Sequence, residues 1–346
     1  MSANTKIEWC DHTFNPWEGC TAVGPGCDHC YAEARNTRFN GGQSINWGPG
    51  APRRRTSDAN WRMPLKWNRA AEDGEFMECP SCGWRGIDDA ESSRLRVCTH
   101  CGTRLKHARP RVFCASLADV FDNQAPAKWR DDLFGLVAKT PHLDWLLLTK
   151  RIGNVRSMLA EIFHPADPDL TLLDMMPLPN VWIGATVVNQ SEADRDIPKL
   201  LAVPAARRFL SVEPMLGEID LVKSKAVRSI CATCADGLSS SCIRSQPGPF
   251  VDWVICGGES GPHARPMHPD WPRELRDQCA AAGVPFLFKQ WGEWAPRHDL
   301  QANQPGIAGR EWFTFDPDAS VCRVGKKAAG RRLDGREHNE FPESAA

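Results

Sequence analysis

Short apolar runs alternate with segments of helical periodicity from about residue 111 onward. The runs are RVFCAS (111–116), LDWLLLTK (143–150), NVWIGATV (180–187), RRFLSVEP (207–214), VDWVICGGES (251–260) and VPFLFKQWG (284–292). Between them, AKWRDDLFGLVAKT (127–140) and WPRELRDQCAAAG (271–283) predict helices. Strands that are apolar on both faces and alternate with helices are typical of parallel sheets, so the pattern predicts βα units.

Six such units and an N-terminal strand predict an α/β fold, a full or partial (βα) barrel over residues 1–346. A doubly wound sheet fits the same pattern, because periodicity does not distinguish a closed sheet from an open one. In a barrel the working residues follow the carboxyl ends of the strands. The polar and glycine residues at those ends that we take as candidates for cofactor binding are Ser116, Asp119, Lys150, Ser211, Glu213, Gly257, Gly258 and Glu259.

Composition narrows the class of protein without naming a function. The chain has 346 residues, of which 42% are hydrophobic and 25% charged, and its net charge is −1. These values are ordinary for a globular protein, and the whole-molecule field will not attract nucleic acid. We do not expect the N-terminal stretch to act as a signal peptide, because it has no apolar run, and no window approaches the roughly 18 apolar residues of a spanning helix. We therefore expect a cytoplasmic protein without membrane contact.

Four cysteines in the segment 74–108 have the spacing of a metal site. Cys79, Cys82, Cys98 and Cys101 form C-x2-C-x15-C-x2-C, and a glycine follows each pair. Two such pairs complete a tetrahedral thiolate shell around zinc, and a closed shell is structural. The segment is too small to fold without its metal, so we predict a zinc-ribbon-like insertion.

Two further groups of cysteines leave alternatives open. Cys20, Cys27 and Cys30 form C-x6-C-x2-C. They fit zinc with a distant fourth ligand, or an iron–sulfur cluster with one free iron, and the spacing alone does not decide. In a second insertion, residues 223–250, Cys231, Cys234 and Cys242 either ligate another metal, with Cys256 or a histidine, or are loop thiols.

Around these cysteines the sequence resembles a phage- and prophage-borne family of three-cysteine-motif proteins, which is similar to radical S-adenosylmethionine (SAM) enzymes. The stretches that carry the resemblance are IEWCDHTFNPWEGCTAVGPGCDHCYAE, LLLTKR, VWIGATVVNQ, RFLSVEPMLG, WVICGGESGPHARPMHPDW, PFLFKQWGEW and RVGKKAAGRRLDGRE. The resemblance implies a partial (βα) barrel with a [4Fe–4S] cluster on Cys20, Cys27 and Cys30. SAM would chelate the free iron and be cleaved by one electron, from a donor of the flavodoxin or ferredoxin type, to a 5′-deoxyadenosyl radical.

The chain departs from the radical SAM pattern at three places, one of which is His29, where an aromatic residue often precedes the third cysteine. The usual cysteine spacing is C-x3-C-x2-C, and a Gly-Gly-Glu stretch usually follows the second barrel strand, whereas Gly257-Gly258-Glu259 follows a much later one. Among the strand-end residues, an acid could accept from the SAM ammonium, a serine from ribose hydroxyls, and Lys150 or Lys289 could hold a carboxylate or phosphate. The alternative is that these are ordinary ion pairs in a barrel mouth and that the glycines are turn residues.

Three basic clusters suggest a nucleic-acid partner. They are RLKHARPR (104–111), beside the four-cysteine motif, PRRR (52–55) and GKKAAGRR (325–332). For each cluster the alternative is a solvated face. The leading hypothesis is a radical SAM enzyme that modifies a nucleobase, nucleotide or nucleic acid in a phage context. The others are a non-catalytic zinc or iron–sulfur protein that binds nucleic acid, and a barrel metallohydrolase, for which the histidine pairs are missing.

Overall fold

A computed structural model describes residues 5, 7–87, 96–163, 179–228, 249–300 and 307–342. Seven of its fifteen strands, numbered along the chain, form the central sheet. They are β1 (His12–Phe14), β7 (Arg111–Cys114), β8 (Asp144–Thr149), β9 (Val181–Thr186), β10 (Arg207–Val212), β11 (Trp253–Gly257) and β12 (Phe286–Gln290). All neighbours pair in parallel, and each predicted apolar run contains one of these strands.

The strands lie in the sheet in the order in which they occur along the chain, β1-β7-β8-β9-β10-β11-β12. A doubly wound sheet reverses its order at a switch point, so that alternative is wrong. The sheet curls into a half-barrel, which confirms the partial barrel. All the carboxyl ends of the strands therefore meet at one rim.

Helices that connect the strands cover the outer face of the sheet. They are α4 (Ala127–Ala138), α5 (Ile152–Ile162), α6 (Gln190–Leu201) and α7 (Asp270–Ala282). The two helices that the sequence predicted correspond to α4 and α7. Helix α7 ends at Gly283, which adopts a left-handed backbone conformation with φ of 69°. Such a conformation favours glycine because no Cβ clashes there.

Alternate side chains along each strand enter different cores. In β7, Val112 and Cys114 pack with the helices, whereas Phe113 belongs to an aromatic core on the inner face. Trp9 and Phe209 join that inner core, and the Trp9 and Phe113 ring centroids lie 4.4 Å apart. Burial of both faces explains why the middle of each strand is mostly apolar.

Three small antiparallel sheets accompany the half-barrel. One pairs β2 (Trp17–Glu18) with β3 (Arg54–Arg55), one contains β4 (Phe76–Glu78), β5 (Arg85–Ile87) and β6 (Lys106–His107), and one contains β13 (Trp294–Pro296), β14 (Trp312–Thr314) and β15 (Ser320–Arg323). The remaining helices are α1 (Tyr31–Phe39), α2 (Asp58–Trp61), α3 (Met63–Glu72) and α8 (Lys326–Ala329). The sheet of β4, β5 and β6 lies in the predicted 74–108 insertion.

The three cysteines of the predicted 223–250 insertion, Cys231, Cys234 and Cys242, lie outside the described residues. A second metal site there therefore stays a prediction.

Within the described part of the chain, no helix has the length and apolar character needed to cross a membrane.

Candidate functional site

A cavity of about 630 Å³ opens at the carboxyl ends of the central strands. Its volume lies in the range of about 300–1,000 Å³ that is usual for small-molecule sites. The predicted residues that line it are Cys20, Cys27, Cys30, Ser116, Asp119, Lys150, Ser211, Glu213, Gly258 and Glu259. The fold therefore brings together the three-cysteine motif and all but one of the strand-end candidates.

The three cysteines approach the cavity from the segment between β2 and α1. Cys27 ends a short 3-10 turn, Pro25–Cys27, and Cys30 immediately precedes α1. All three thiols are free and half-buried. They lack the close spacing of a single-ion site, since among the described residues only the four-cysteine group has ligand atoms within 4.8 Å of one another.

Asp119 and Arg151 position Cys20. The Asp119 carboxylate accepts hydrogen bonds from the Thr149 hydroxyl at 2.8 Å, the Lys150 backbone N–H at 3.1 Å and the Arg151 guanidinium at 3.2 Å. The Arg151 guanidinium also donates to the Cys20 sulfur at 3.3 Å. Burial and the nearby Asp119 carboxylate raise the pKa of Cys20 to about 11, although Arg151 opposes this shift. A metal that binds Cys20 must therefore displace a proton.

Glu259 and Arg265 hold the loop between Cys20 and Cys30. Arg265 donates to Glu259 through Nε at 2.9 Å and Nη2 at 2.7 Å, and it also reaches Asp28 Oδ2 at 2.9 Å and the Pro25 carbonyl at 2.8 Å. His29 Nδ1 lies 3.1 Å from Glu259 Oε2. Burial acts to raise the pKa of Glu259, but the hydrogen bonds from Arg265 outweigh it and lower that pKa. Glu259 is thus an ionised anchor for the loop.

Glu213 is the third acid at the cavity, and it pairs with Lys289. The Lys289 Nζ lies 3.0 Å from Glu213 Oε1, and the Ser211 hydroxyl donates to Oε2 at 3.3 Å. Burial acts to lower the pKa of Lys289, but Glu213 raises it by more. Asp119, Glu213 and Glu259 therefore each form an ion pair, as the alternative interpretation of the strand-end residues expected.

The two glycines have different surroundings. Gly257 is the one candidate that does not line the cavity, and a Cβ on it would lie 2.8 Å from Glu213 Oε1. Gly258 lines the cavity, and a Cβ on it would lie 2.0 Å from the Trp291 carbonyl oxygen. The close approach of the chain after β12 therefore requires glycine at position 258, whatever binds in the cavity.

Lys150 and Ser116 differ in how far they are engaged. The Lys150 ammonium makes no ion pair or hydrogen bond with any residue that the structure describes, and its Cε would lie 3.2 Å from a Cβ on Gly26. The Ser116 hydroxyl is within hydrogen-bond distance of the Asn15 amide, and the Ser116 carbonyl accepts from the Tyr31 hydroxyl at 2.5 Å. Lys150 is thus a half-buried cation left available to a bound anion.

The four-cysteine motif forms a second, separate site. Cys79 Sγ lies 3.4 Å from Cys101 Sγ, and Cys82 Sγ lies 3.6 Å from Cys98 Sγ. The four sulfurs lie within 4.8 Å of one another, so this group could hold a metal ion such as zinc. Hydrogen bonding to Thr103 lowers the pKa of Cys101, which favours the thiolate form that binds a metal ion.

The two C-x2-C pairs have the same backbone geometry. Gly83 donates to the Cys79 carbonyl at 3.0 Å, and Gly102 donates to the Cys98 carbonyl at 2.9 Å. Both glycines are left-handed, with φ of 73° and 75°. The glycine after each pair therefore allows a tight turn, and this turn directs the two thiols of the pair to the same side.

Arg85 attaches this insertion to the sheet at the end opposite the cavity. Its guanidinium lies 3.1 Å from Asp11, which immediately precedes β1, and it also contacts Glu78. Asp11 accepts from the backbone N–H of Arg111, the first residue of β7, at 2.7 Å. The four cysteines therefore lie toward the amino ends of the strands, where they can stabilise the fold but do not reach the cavity.

Most charges of the first two basic clusters are used within the protein. The ion pairs are Arg53–Asp122, Arg54–Glu18, Arg55–Asp132, Lys106–Glu78 and Arg109–Asp144. Arg111 is buried, with its guanidinium 4.0 Å from the centroid of the Phe341 ring. Arg104 has no acidic partner among the described residues. The charges of the clusters at 52–55 and 104–111 are therefore mostly paired with carboxylates of the protein, although the Arg54 and Lys106 side chains remain exposed.

The third cluster differs. Arg331 lies 3.6 Å from Glu337, but the side chains of Lys326, Lys327 and Arg332 have no partner within the described part of the chain. Lys326 also lines the cavity. Sequence reasoning did not single out Arg151 or Arg265, although Arg151 directly follows a strand-end candidate and Arg265 lies within a stretch that carries the resemblance.

Comparison with known proteins shows the family of the chain. A family model described as "Protein of unknown function (DUF5131)" matches residues 4–342. Comparisons with curated proteins and with solved structures found no match. Because the family model spans almost the whole chain, the protein belongs to the DUF5131 family of proteins of unknown function.

Proposed function

We propose that the protein is an iron–sulfur enzyme that binds SAM and cleaves it reductively, in the manner of radical SAM enzymes. The observation that carries the proposal is that Cys20, Cys27 and Cys30, all free, line one cavity at the carboxyl ends of a half-barrel. That rim is where barrel enzymes place their working residues.

The donor set fits a [4Fe–4S] cluster with three protein ligands. Three thiols are available locally, and their spacing is wider than that of the four-cysteine group. Since three cysteines can ligate three irons, the fourth iron would be left to the amino and carboxylate groups of SAM. When bound, the cluster would supply the electron that cleaves SAM, received from a donor of the flavodoxin or ferredoxin type.

The chain's own residues would position these ligands and exclude water. Arg151 donates to the sulfur of Cys20, and Arg265 fixes the loop on either side of Cys27 through Pro25 and Asp28. Lys150 offers an unpaired cation in the same cavity. These contacts support a preorganised thiolate set, which a cluster requires before a substrate can be oriented.

Product analysis tests the proposed function. After anaerobic reconstitution with iron and sulfide, the wild type with dithionite and SAM should release 5′-deoxyadenosine. Replacing Cys20, Cys27 or Cys30 with alanine should abolish the release, whereas Cys82→Ala, which removes a thiol from the separate site, should not. Release that survives loss of Cys27 would contradict the proposal.

We also propose that the four cysteines hold a structural zinc ion in a zinc-ribbon-like insertion. Four thiols in a closed set leave no open coordination position, and the group lies away from the cavity. The phage context and the choice of nucleobase, nucleotide or nucleic acid as substrate stay predictions.

A further inference from the structure

We propose that the substrate carries a phosphate group and that Lys326, which lines the cavity, binds it together with the adjacent Lys327. This inference deepens the proposed function and rests on it, because it names the substrate class of the same cavity. The juxtaposition that supports it is a basic segment, residues 325–332, held beside the cavity that the three cysteines line. In this segment Lys326, Lys327 and Arg332 have no acidic partner among the described residues, whereas Arg331 pairs with Glu337.

The segment is fixed at the end of β12. The Trp291 backbone N–H donates to the Gly330 carbonyl at 3.1 Å, and the Trp291 indole donates to the Arg332 carbonyl at 2.8 Å. At its start, Gly325 donates to the Glu293 carbonyl at 3.0 Å. Lys326 is therefore presented to the cavity by an anchored segment.

Most other charges that line the cavity are already matched. Asp119 pairs with Arg151, Glu213 with Lys289, and Glu259 with Arg265. Of the remaining lining acids, Glu33 accepts from the Ser44 hydroxyl at 3.4 Å, and Glu8 interacts electrostatically with Lys289. This leaves Lys150 and Lys326 as lining cations without an acidic partner in the part of the chain that the structure describes.

The three basic clusters differ in how many of their charges are paired with carboxylates. The arginines at 53–55, Lys106 and Arg109 form ion pairs with carboxylates of the protein. Lys326, Lys327 and Arg332 form none with the residues that the structure describes. Three cations within seven residues suit a dianionic phosphate better than a single carboxylate. A phosphate at the rim would leave the rest of the molecule to extend toward the cysteines.

The phosphate could belong to a free nucleotide or to the backbone of a nucleic acid, and binding measurements distinguish these sources. The probes are nucleoside 5′-monophosphates, the matching nucleosides and a short single-stranded oligonucleotide. We expect nucleotides to bind at least about tenfold more tightly than nucleosides, since hydrogen bonds between charged groups are stronger than those between neutral ones. Tighter binding of the oligonucleotide would indicate a nucleic-acid chain, and tighter binding of the mononucleotide would indicate a free nucleotide.

Matched variants test the residues. Lys326→Gln/Lys327→Gln should weaken nucleotide binding by about tenfold or more and reduce the dependence of log K on log salt, because fewer counterions are released. Lys326→Arg/Lys327→Arg, which keeps both charges, should bind like the wild type. The control is Lys106→Gln, which removes a charge that is paired with Glu78 in the wild type. This variant should also bind normally.

Two results would overturn the inference: equal binding of nucleosides and nucleotides, or equal binding by the wild type and the Gln/Gln variant. The proposed function is scored separately, in the same samples, by iron content and by release of 5′-deoxyadenosine from SAM and dithionite alone. Both signals should also be present in the Lys106→Gln control, whose altered residue does not line the cavity. If the wild type lacks them, the enzyme proposal fails while the phosphate-binding result stands by itself.

Discussion

Arg265 and Glu259 are joined by two side-chain hydrogen bonds, Nε to Oε2 at 2.9 Å and Nη2 to Oε1 at 2.7 Å. The same guanidinium holds Asp28 and the Pro25 carbonyl, in the loop that carries Cys27. A carboxylate at the end of β11 therefore determines where the cysteine loop lies. Arg265 shares this task with His29, which also contacts Glu259, and with Arg151, which donates to the Cys20 sulfur.

Loss of Arg265 should loosen the cysteine loop. Arg265→Gln leaves the mostly buried Glu259 carboxylate without its partner, which should lower the free energy of unfolding by about 1–3 kcal/mol. Iron retained after reconstitution should fall, because the thiolates are no longer preorganised. The control is Arg276→Gln, which breaks ion pairs to Asp277 and Asp334 on the surface and should change stability by about 1 kcal/mol or less. Full iron occupancy in Arg265→Gln would show that the contacts of Arg265 are not needed to position the thiolates.

Asp144 should make stability depend on pH. Burial raises its pKa to about 6, although Arg109 opposes the shift. A carboxyl whose pKa is raised by folding favours the folded state below its unfolded pKa of about 4, and that contribution is lost as pH rises through about 6. Asp144→Asn should therefore be more stable than the wild type by roughly 1–3 kcal/mol near pH 7 and equal to it near pH 4.

Denaturant titrations at both pH values check the Asp144 prediction. The control is Asp131→Asn, an exposed acid on α4, which should change stability by about 0.5 kcal/mol or less. A variant less stable than the wild type near neutral pH would mean that the Arg109 ion pair outweighs the burial of the carboxylate.

Gly258 should be intolerant of a side chain. A Cβ at this position would lie 2.0 Å from the Trp291 carbonyl oxygen, so Gly258→Ala must displace backbone and should destabilise the protein by about 2 kcal/mol or more. Gly135, within α4, has open space where a Cβ would lie, with no neighbouring atom within 4 Å. Gly135→Ala should instead stabilise by about 0.5–1 kcal/mol. Thermal unfolding of the pair measures both effects, and equal values would contradict the close approach.

Removal of one thiol from the four-cysteine group should release its metal. We expect one zinc ion per wild-type chain and none in Cys98→Ser, because three thiolates no longer complete the tetrahedral shell. The insertion should unfold, while the iron–sulfur absorbance should persist, since the two sites lie at opposite ends of the sheet. Metal analysis decides, and zinc retained by Cys98→Ser would make the assignment wrong.

The strands were predictable because burial on both faces leaves a continuous apolar run in the sequence. Their order was not, because hydrophobic periodicity carries no information on which strand pairs with which. Phe14 lies beside Cys114 only through long-range pairing. The carboxyl ends of parallel strands necessarily share one edge, so the location of the cavity followed once the strands were correct.

The contacts within the site were less predictable. The spacing of Cys20, Cys27 and Cys30 indicated a metal site without naming the residues that support it. Arg53 looked like part of a nucleic-acid patch, yet it pairs with Asp122, which is 69 residues away in sequence. A run of basic residues does not reveal whether distant carboxylates fold against it, so the ion pairs made by the clusters at 52–55 and 104–111 could not be predicted from the sequence.

Electron paramagnetic resonance of the reconstituted, reduced protein with and without SAM tests the central proposal most directly. We predict a [4Fe–4S] signal in the wild type that changes when SAM is added, since SAM would bind the iron without a cysteine ligand. The signal should be absent from Cys20→Ala, Cys27→Ala and Cys30→Ala and present in Cys82→Ala. A colourless wild type with zinc at the three cysteines, or a cluster signal that SAM leaves unchanged, would contradict the proposal.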